Sequence, residues 1–184
     1  VNSDGRKVKI ELDGINSINF GGELYVEGQG IELKIKEVED EIGFGGPLLL
    51  NGQNGEVKAE FELEGSGPTT FGKGVSIKGE KAKFKAKDIE EKVNINGPLL
   101  IDGNNEKATV EFDFDENGAL DVAEEILIVG KKAELKMEGI EDSVVLGGPV
   151  VLNGREEKAD AQFKFDGPGS LSIDERFLIE GKKA

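Results

Sequence analysis

The chain contains no cysteine, no histidine and no tryptophan, and each absence removes a class of chemistry. Without cysteine there are no disulfides, no thiol nucleophile and no thiolate metal ligand, and the compartment cannot be read from cysteine usage. Without histidine the commonest general base and the commonest transition-metal ligand are missing. Arginine is confined to Arg6, Arg155 and Arg176, and 38 acidic residues against 23 basic ones leave a net charge of -15. That balance argues against nucleic acid or an anionic membrane surface, because phosphate binding needs clustered Lys and Arg. No apolar run approaches the ~20 residues that a membrane-spanning helix requires, so no transmembrane segment is expected. Val1 to Asp4 carry no signal-peptide character, as would also be true of a chain after cleavage. No N-x-[ST] sequence offers an acceptor for N-glycosylation. Most of what remains is glycine (27 of 184), Lys, Glu and aliphatic residues.

These residues repeat. Gly46-Pro47-Leu48-Leu49-Leu50-Asn51-Gly52 returns as Gly97-Pro98-Leu99-Leu100-Ile101-Asp102-Gly103 and as Gly148-Pro149-Val150-Val151-Leu152-Asn153-Gly154, a period of 51 residues twice over. A fixed period of this kind decides architecture before any local reading. Smaller units lie inside it. The closing glycines Gly28, Gly52, Gly79, Gly103, Gly130, Gly154 and Gly181 are spaced alternately by 24 and 27 residues. The units span about 6–28, 29–52, 53–79, 80–103, 104–130, 131–154 and 155–184 and make one domain.

Each unit opens on a segment of strict alternation, such as Val8/Ile10/Leu12, Ile31/Leu33/Ile35 or Ala59/Phe61/Leu63, with Lys, Glu or Asp between. Alternation at period two means a strand with one buried and one wet face. A connector follows. In units one, three, five and seven it reads as a turn (Asp13-Gly14 in the first), and in units two, four and six as an acidic stretch around one aliphatic residue. A second, longer strand closes each unit, as in Ile42-Phe44-Gly46-Leu48-Leu50 read at every other residue. Its middle position is Gly, Lys or Glu, never apolar, which predicts a bend, and Gly-Pro there supplies a corner.

The outward positions of these closing strands should be polar but are Tyr25, Leu49, Leu100, Leu127, Val151 and Leu178, with Ser76 the exception. Strands apolar on both faces are expected to be covered on both, so these six are the candidate interface. In the opening strands Lys34, Glu60, Lys85, Glu111 and Lys136 form one row of alternating sign, which favours stacking of equivalent strands. The reading is an all-β chain of seven ~25-residue two-strand units stacked as an elongated β-solenoid or two-sheet sleeve. An up-and-down meander closed as a barrel or sandwich is the alternative.

Three motifs carry possible chemistry. Asp113 to Glu124 fits the calcium-loop pattern D-x-D-x-N-G-x-x-D-x-x-E, in which hard oxygens surround the ion and glycine makes the sharp turn. Asp113, Asp115, Asn117 and Glu124 are the candidate calcium ligands, with Ala119 contributing its carbonyl, but the flanks read as strands, which favours a solvated turn over a calcium loop. Gly67 to Gly74 approaches a phosphate loop, but Gly74 stands where a hydroxyl should hold Mg²⁺ and no helix follows. The acidic connectors at 37–41, 88–91 and 141–142 supply carboxylates without a marked cleft to pair them across. No enzyme is expected, and no cofactor beyond the calcium just described.

The bent pairs and the recurrent G-x-[LIV]-x-[LIV]-x-G resemble the β-taco sleeves of lipopolysaccharide-transport bridge proteins and AsmA-type lipid-transfer proteins. That resemblance implies an open hydrophobic groove for acyl chains, hence lipid as a partner, and a membrane anchor that these residues lack. The Lys/Glu outer faces, regular loop lengths and missing Cys, His and Trp also resemble an idealised, computationally designed β-repeat protein. The expected function is a non-enzymatic structural scaffold that self-assembles through its terminal repeats. A lipid-binding sleeve and a calcium-stabilised extracellular module are the alternatives. Asn2 to Arg6 resembles Asn153-Gly154-Arg155, and Gly181 to Ala184 resembles Gly130 to Ala133. Both ends therefore read as repeat junctions without a cap, and a homo-oligomer is the expected partner state.

Overall fold

The computed structural model describes residues 6–64, 67–115, 117–155 and 157–182. Every described regular element is a strand. The opening segments form a first sheet of seven parallel strands: β1 (Lys7–Ile15), β4 (Gly30–Val38), β7 (Glu56–Glu62), β10 (Lys81–Ile89), β13 (Lys107–Phe114), β16 (Lys132–Ile140) and β19 (Lys158–Phe165). A second sheet holds β2 (Ile18–Phe20), β5 (Ile42–Phe44), β8 (Thr69–Phe71), β11 (Lys92–Ile95), β14 (Ala119–Val122), β17 (Ser143–Leu146) and β20 (Ser170–Ile173). The third holds β3 (Leu24–Glu27), β6 (Leu48–Asn51), β9 (Val75–Lys78), β12 (Leu99–Asp102), β15 (Ile126–Val129), β18 (Val150–Asn153) and β21 (Phe177–Glu180). Each of the seven units contributes one strand to every sheet, so the chain is a β-solenoid of seven three-sided coils, and the barrel alternative falls away.

The units therefore have three strands rather than two. The bend expected in each closing segment is sharp enough to place its halves in different sheets. The cause is visible at Gly46, Gly97 and Gly148. A Cβ at these glycines would lie 2.5, 2.6 and 2.5 Å from backbone atoms of the preceding coil, so only glycine lets the coils approach at that corner. Pro47, Pro98 and Pro149 follow, and their carbonyls still accept the amides of Leu24, Val75 and Ile126 at 2.9–3.0 Å. The ladder thus runs through the corner although proline donates nothing.

Coil one departs from the grouping its connector suggests. In coils two, four and six the opening strand carries one extra residue in the left-handed region, at Glu37 (φ 51°), Asp88 (φ 56°) and Gly139 (φ 73°). The register consequently slips by one residue between Ala86 and Ile89 against β13, and between Met137 and Ile140 against β19. Gly14 (φ 63°) takes the same conformation in β1, and β1 pairs with β4 without a slip. The first coil is thus of the bulged kind, like coils two, four and six, and not of the turn kind found in three, five and seven.

The core lies inside the triangle and is filled by side chains in rows across the coils. Phe20, Phe44 and Phe71 stack with centroids 5.0 Å apart at each step, close to the ~4.8 Å spacing of paired strands. Phe61 and Phe84 meet this stack from the first sheet, edge-on to Phe71 at 5.3 and 5.9 Å. Large and small residues alternate to make room, since Ala86 pairs with Phe61 and Ala59 with Phe84. The interior side chains of coils two to six are almost wholly buried.

Candidate interaction surfaces

On the third sheet, the six residues of the candidate interface fall into one row. Tyr25 pairs with Leu49, Leu49 with Ser76, Ser76 with Leu100, Leu100 with Leu127, Leu127 with Val151 and Val151 with Leu178. Their strand neighbours Val26, Leu50, Ile77, Ile101, Ile128 and Leu152 are buried, so alternation turns the row away from the core. Leu49 to Leu178 are half-buried, each flanked by the row itself, and Tyr25 is 37% exposed. Every described strand belongs to one of the three sheets, and none lies over this face. Near its centre Ser76, Leu100, Leu127, Val129 and Arg155 line a shallow depression.

The first sheet presents the opposite chemistry. Glu11, Lys34, Glu60, Lys85, Glu111, Lys136 and Gln162 are in register across its outer face. The alternating row expected from sequence is therefore present, but the ion pairs do not all run along it. Lys85 meets Glu111 directly at 2.7 Å, whereas Lys34 reaches diagonally to Glu62 at 2.8 Å and Lys58 to Glu60 within one strand at 2.5 Å. Glu111 is the best supported carboxylate, accepting from Lys83 at 2.8 Å as well. Burial alone would raise its pKa, but the hydrogen bonds and charges of the two lysines outweigh burial and hold it at about 2.

The corner between the third and first sheets carries a feature that sequence reasoning missed. Oδ1 of Asn51, Asp102 and Asn153 accepts the backbone N–H two residues on, at 3.4, 2.8 and 2.9 Å. The accepted residues Gln53, Asn104 and Arg155 all have positive φ. Three such loops stack, one on every second coil. Asn104 donates from Nδ2 to the Gln53 carbonyl at 3.4 Å, and Arg155 from Nη1 to the Asn104 carbonyl at 2.9 Å. The available signal was the Asn/Asp at a fixed place in the 51-residue motif, a side chain that caps turns.

The calcium candidates are not gathered. Asp113 sits on the outer face of β13, where burial raises its pKa. Asp115 and Asn117 are exposed in the following turn, and Ala119 opens β14. Glu124 lies exposed at the corner after β14, and Glu116 is outside the described residues. The motif runs as strand, turn and strand across two sheets instead of wrapping one point. Among the described residues no three acidic side chains stand close enough to hold a metal ion. The phosphate-loop match also runs straight into strands: β8 begins at Thr69 and β9 at Val75.

The two end coils expose what interior coils bury. Ile10, Leu12, Ile15, Phe20 and Leu24 in the first coil, and Phe163, Leu171, Ile173 and Ile179 in the seventh, pack on the core from one side and remain partly exposed. Phe165 and Phe177 are 44% and 38% exposed. Residues 1–5 and 183–184, where sequence predicted repeat junctions, are outside the described residues. The chain matches no protein-family model, no curated protein and no solved structure. No described helix is long and apolar enough to cross a membrane.

Proposed function

We propose that this chain is a non-enzymatic structural scaffold that self-associates through its end coils. The observation that carries the reading is that, among the described residues, the strands of each end coil have a ladder partner on one side only and surround a half-covered apolar section, while five interior coils are sealed. Strand edges that carry apolar side chains are templates for further strands. A closed, side-chain-filled interior favours a scaffold over an acyl-carrying sleeve, which needs an open apolar groove. The row Tyr25, Leu49, Leu100, Leu127, Val151 and Leu178 serves as the lateral contact between such scaffolds, being a long apolar line where the outer row of the first sheet is charged and that of the second is mostly neutral and polar.

Sedimentation velocity over a wide concentration range tests the reading. Larger species should grow with concentration, and more readily at 0.15 M than at 0.01 M salt. Screening shortens the reach of the repulsion between chains of charge -15 from ~30 Å to ~8 Å. A chain that stays monomeric at the highest concentrations and at both salts refutes it.

A further inference from the structure

Self-association alone leaves open which ends meet and in what register. We infer that the seventh coil of one copy seats on the first coil of another, head to tail, with like sheet on like sheet and all three ladders continued in parallel. This inference rests on the self-association proposed above and adds its geometry.

Three observations point the same way. The first is coil kind. Coils three and five, of the turn kind, are each followed by a bulged coil, and the seventh is of the turn kind. The first coil is bulged at Gly14 although it lies against another bulged coil. Within the chain it breaks the alternation; placed on a seventh coil it restores it.

The second is charge. Continuing the observed registers by one step sets Asp160 opposite Lys9 of the second copy and Lys164 opposite its Asp13. On the third sheet Val150 pairs with Phe177 and Leu24 with Leu48, so Arg176 falls opposite Glu23 of the second copy. These three opposite-charge pairs, the arrangement that helps neighbouring strands, outnumber the two like-charge pairs, Lys158 with Lys7 and Glu180 with Glu27, that the same registers set opposite each other.

The third is shape. Phe163 falls opposite Leu12 of the second copy and Phe177 opposite its Leu24, so the partly exposed apolar positions cover one another. Two-fold arrangements lack this match. Turning one copy over to lay first sheet on first sheet sets the second sheet over the third and makes the strands antiparallel, whereas every pairing within the chain is parallel. A head-to-tail contact does not close on itself, so it propagates as a filament.

The chain has no native cysteine, which makes the register directly readable by disulfide trapping. Glu11 and Gln162 share one row of the first sheet, both exposed. In the inferred junction they face each other across one strand spacing of ~4.8 Å, within disulfide reach. Glu11→Cys and Gln162→Cys chains, mixed in full length under mild oxidation, should give a mixed disulfide dimer many-fold in excess of either self-dimer. Pairing Glu11→Cys with Lys158→Cys, four residues out of register, should give none of that excess. Self-dimers equal to the mixed dimer, or trapping of the out-of-register pair, overturn the inference. Assembly seen by sedimentation without the mixed dimer overturns this register while leaving self-association standing. Monomers by sedimentation with no trapping overturn both.

Discussion

Glu111 offers a quantitative test of how the charged face contributes to stability. Its carboxylate is bound by Lys83 at 2.8 Å and Lys85 at 2.7 Å, and its side chain is only 18% exposed. With a folded pKa of about 2 against an ordinary 4.5, the folded state prefers the ionised form. The preference is on the order of 3 kcal/mol, at 1.36 kcal/mol per pKa unit. Because the folded value is the lower one, that stabilisation is present in full above the unfolded pKa and is lost as pH falls from 4.5 towards 2. It should be near its full size at pH 7, under half of that at pH 3 and small at pH 2. Glu111→Gln removes the titration and keeps the shape and one acceptor oxygen. Urea unfolding followed by far-UV circular dichroism, on wild type and Glu111→Gln at pH 7, 4, 3 and 2.5, isolates this group because the other carboxylates cancel in the difference. The two stabilities should differ at pH 7 and converge as pH falls, the pH-dependent part of the difference approaching 3 kcal/mol. A difference that stays constant across this range refutes the assignment of the lysine pair as the cause.

Two further predictions concern the core and the corners. Thr69 is 1% exposed in an interior row of aliphatic residues, and its Oγ1 has no hydrogen-bond partner. Thr69→Val should therefore raise stability, by about 1–2 kcal/mol in denaturant unfolding, because an unsatisfied buried hydroxyl is replaced by a methyl group of the same shape. A loss of stability would show that the hydroxyl is satisfied after all. Gly97→Ala sets a Cβ 2.6 Å from the Lys73 carbonyl carbon, whereas Gly22→Ala meets nothing within 4 Å. The first should lower stability by about 1–3 kcal/mol or more, and the second should be neutral or mildly stabilising through the unfolded chain. Equal effects would remove the close-approach account of the corner.

Much of this architecture is present in the residue pattern. Strict alternation, as in Val8/Ile10/Leu12, decides which face of each opening strand is buried, since side chains of a strand point alternately to its two faces. The 51-residue period brings equivalent residues to equivalent places, so the rows of Glu11 to Gln162 and of Tyr25 to Leu178 follow once coils stack in register. The calcium-like stretch shows the limit of such reading. Its composition satisfies a ligand pattern, but Asp113 stays on the face of β13 and Glu124 falls at the corner beyond β14, because Ala119 to Val122 is claimed by a ladder with β11 and β17.

By itself, then, the sequence determined the number of coils, the inner and outer faces, and the charged and apolar rows, because periodicity is a property each strand carries locally. Only the tertiary structure decided that each coil has three sides, that the first coil is bulged, and that the loops at Gln53, Asn104 and Arg155 touch one another. These depend on where the neighbouring coil's backbone lies. Gly46 makes a corner because the backbone of coil one occupies the space of its missing Cβ. Gly14 makes a bulge in register with the one at Glu37. A distance between coils is not written in either coil alone.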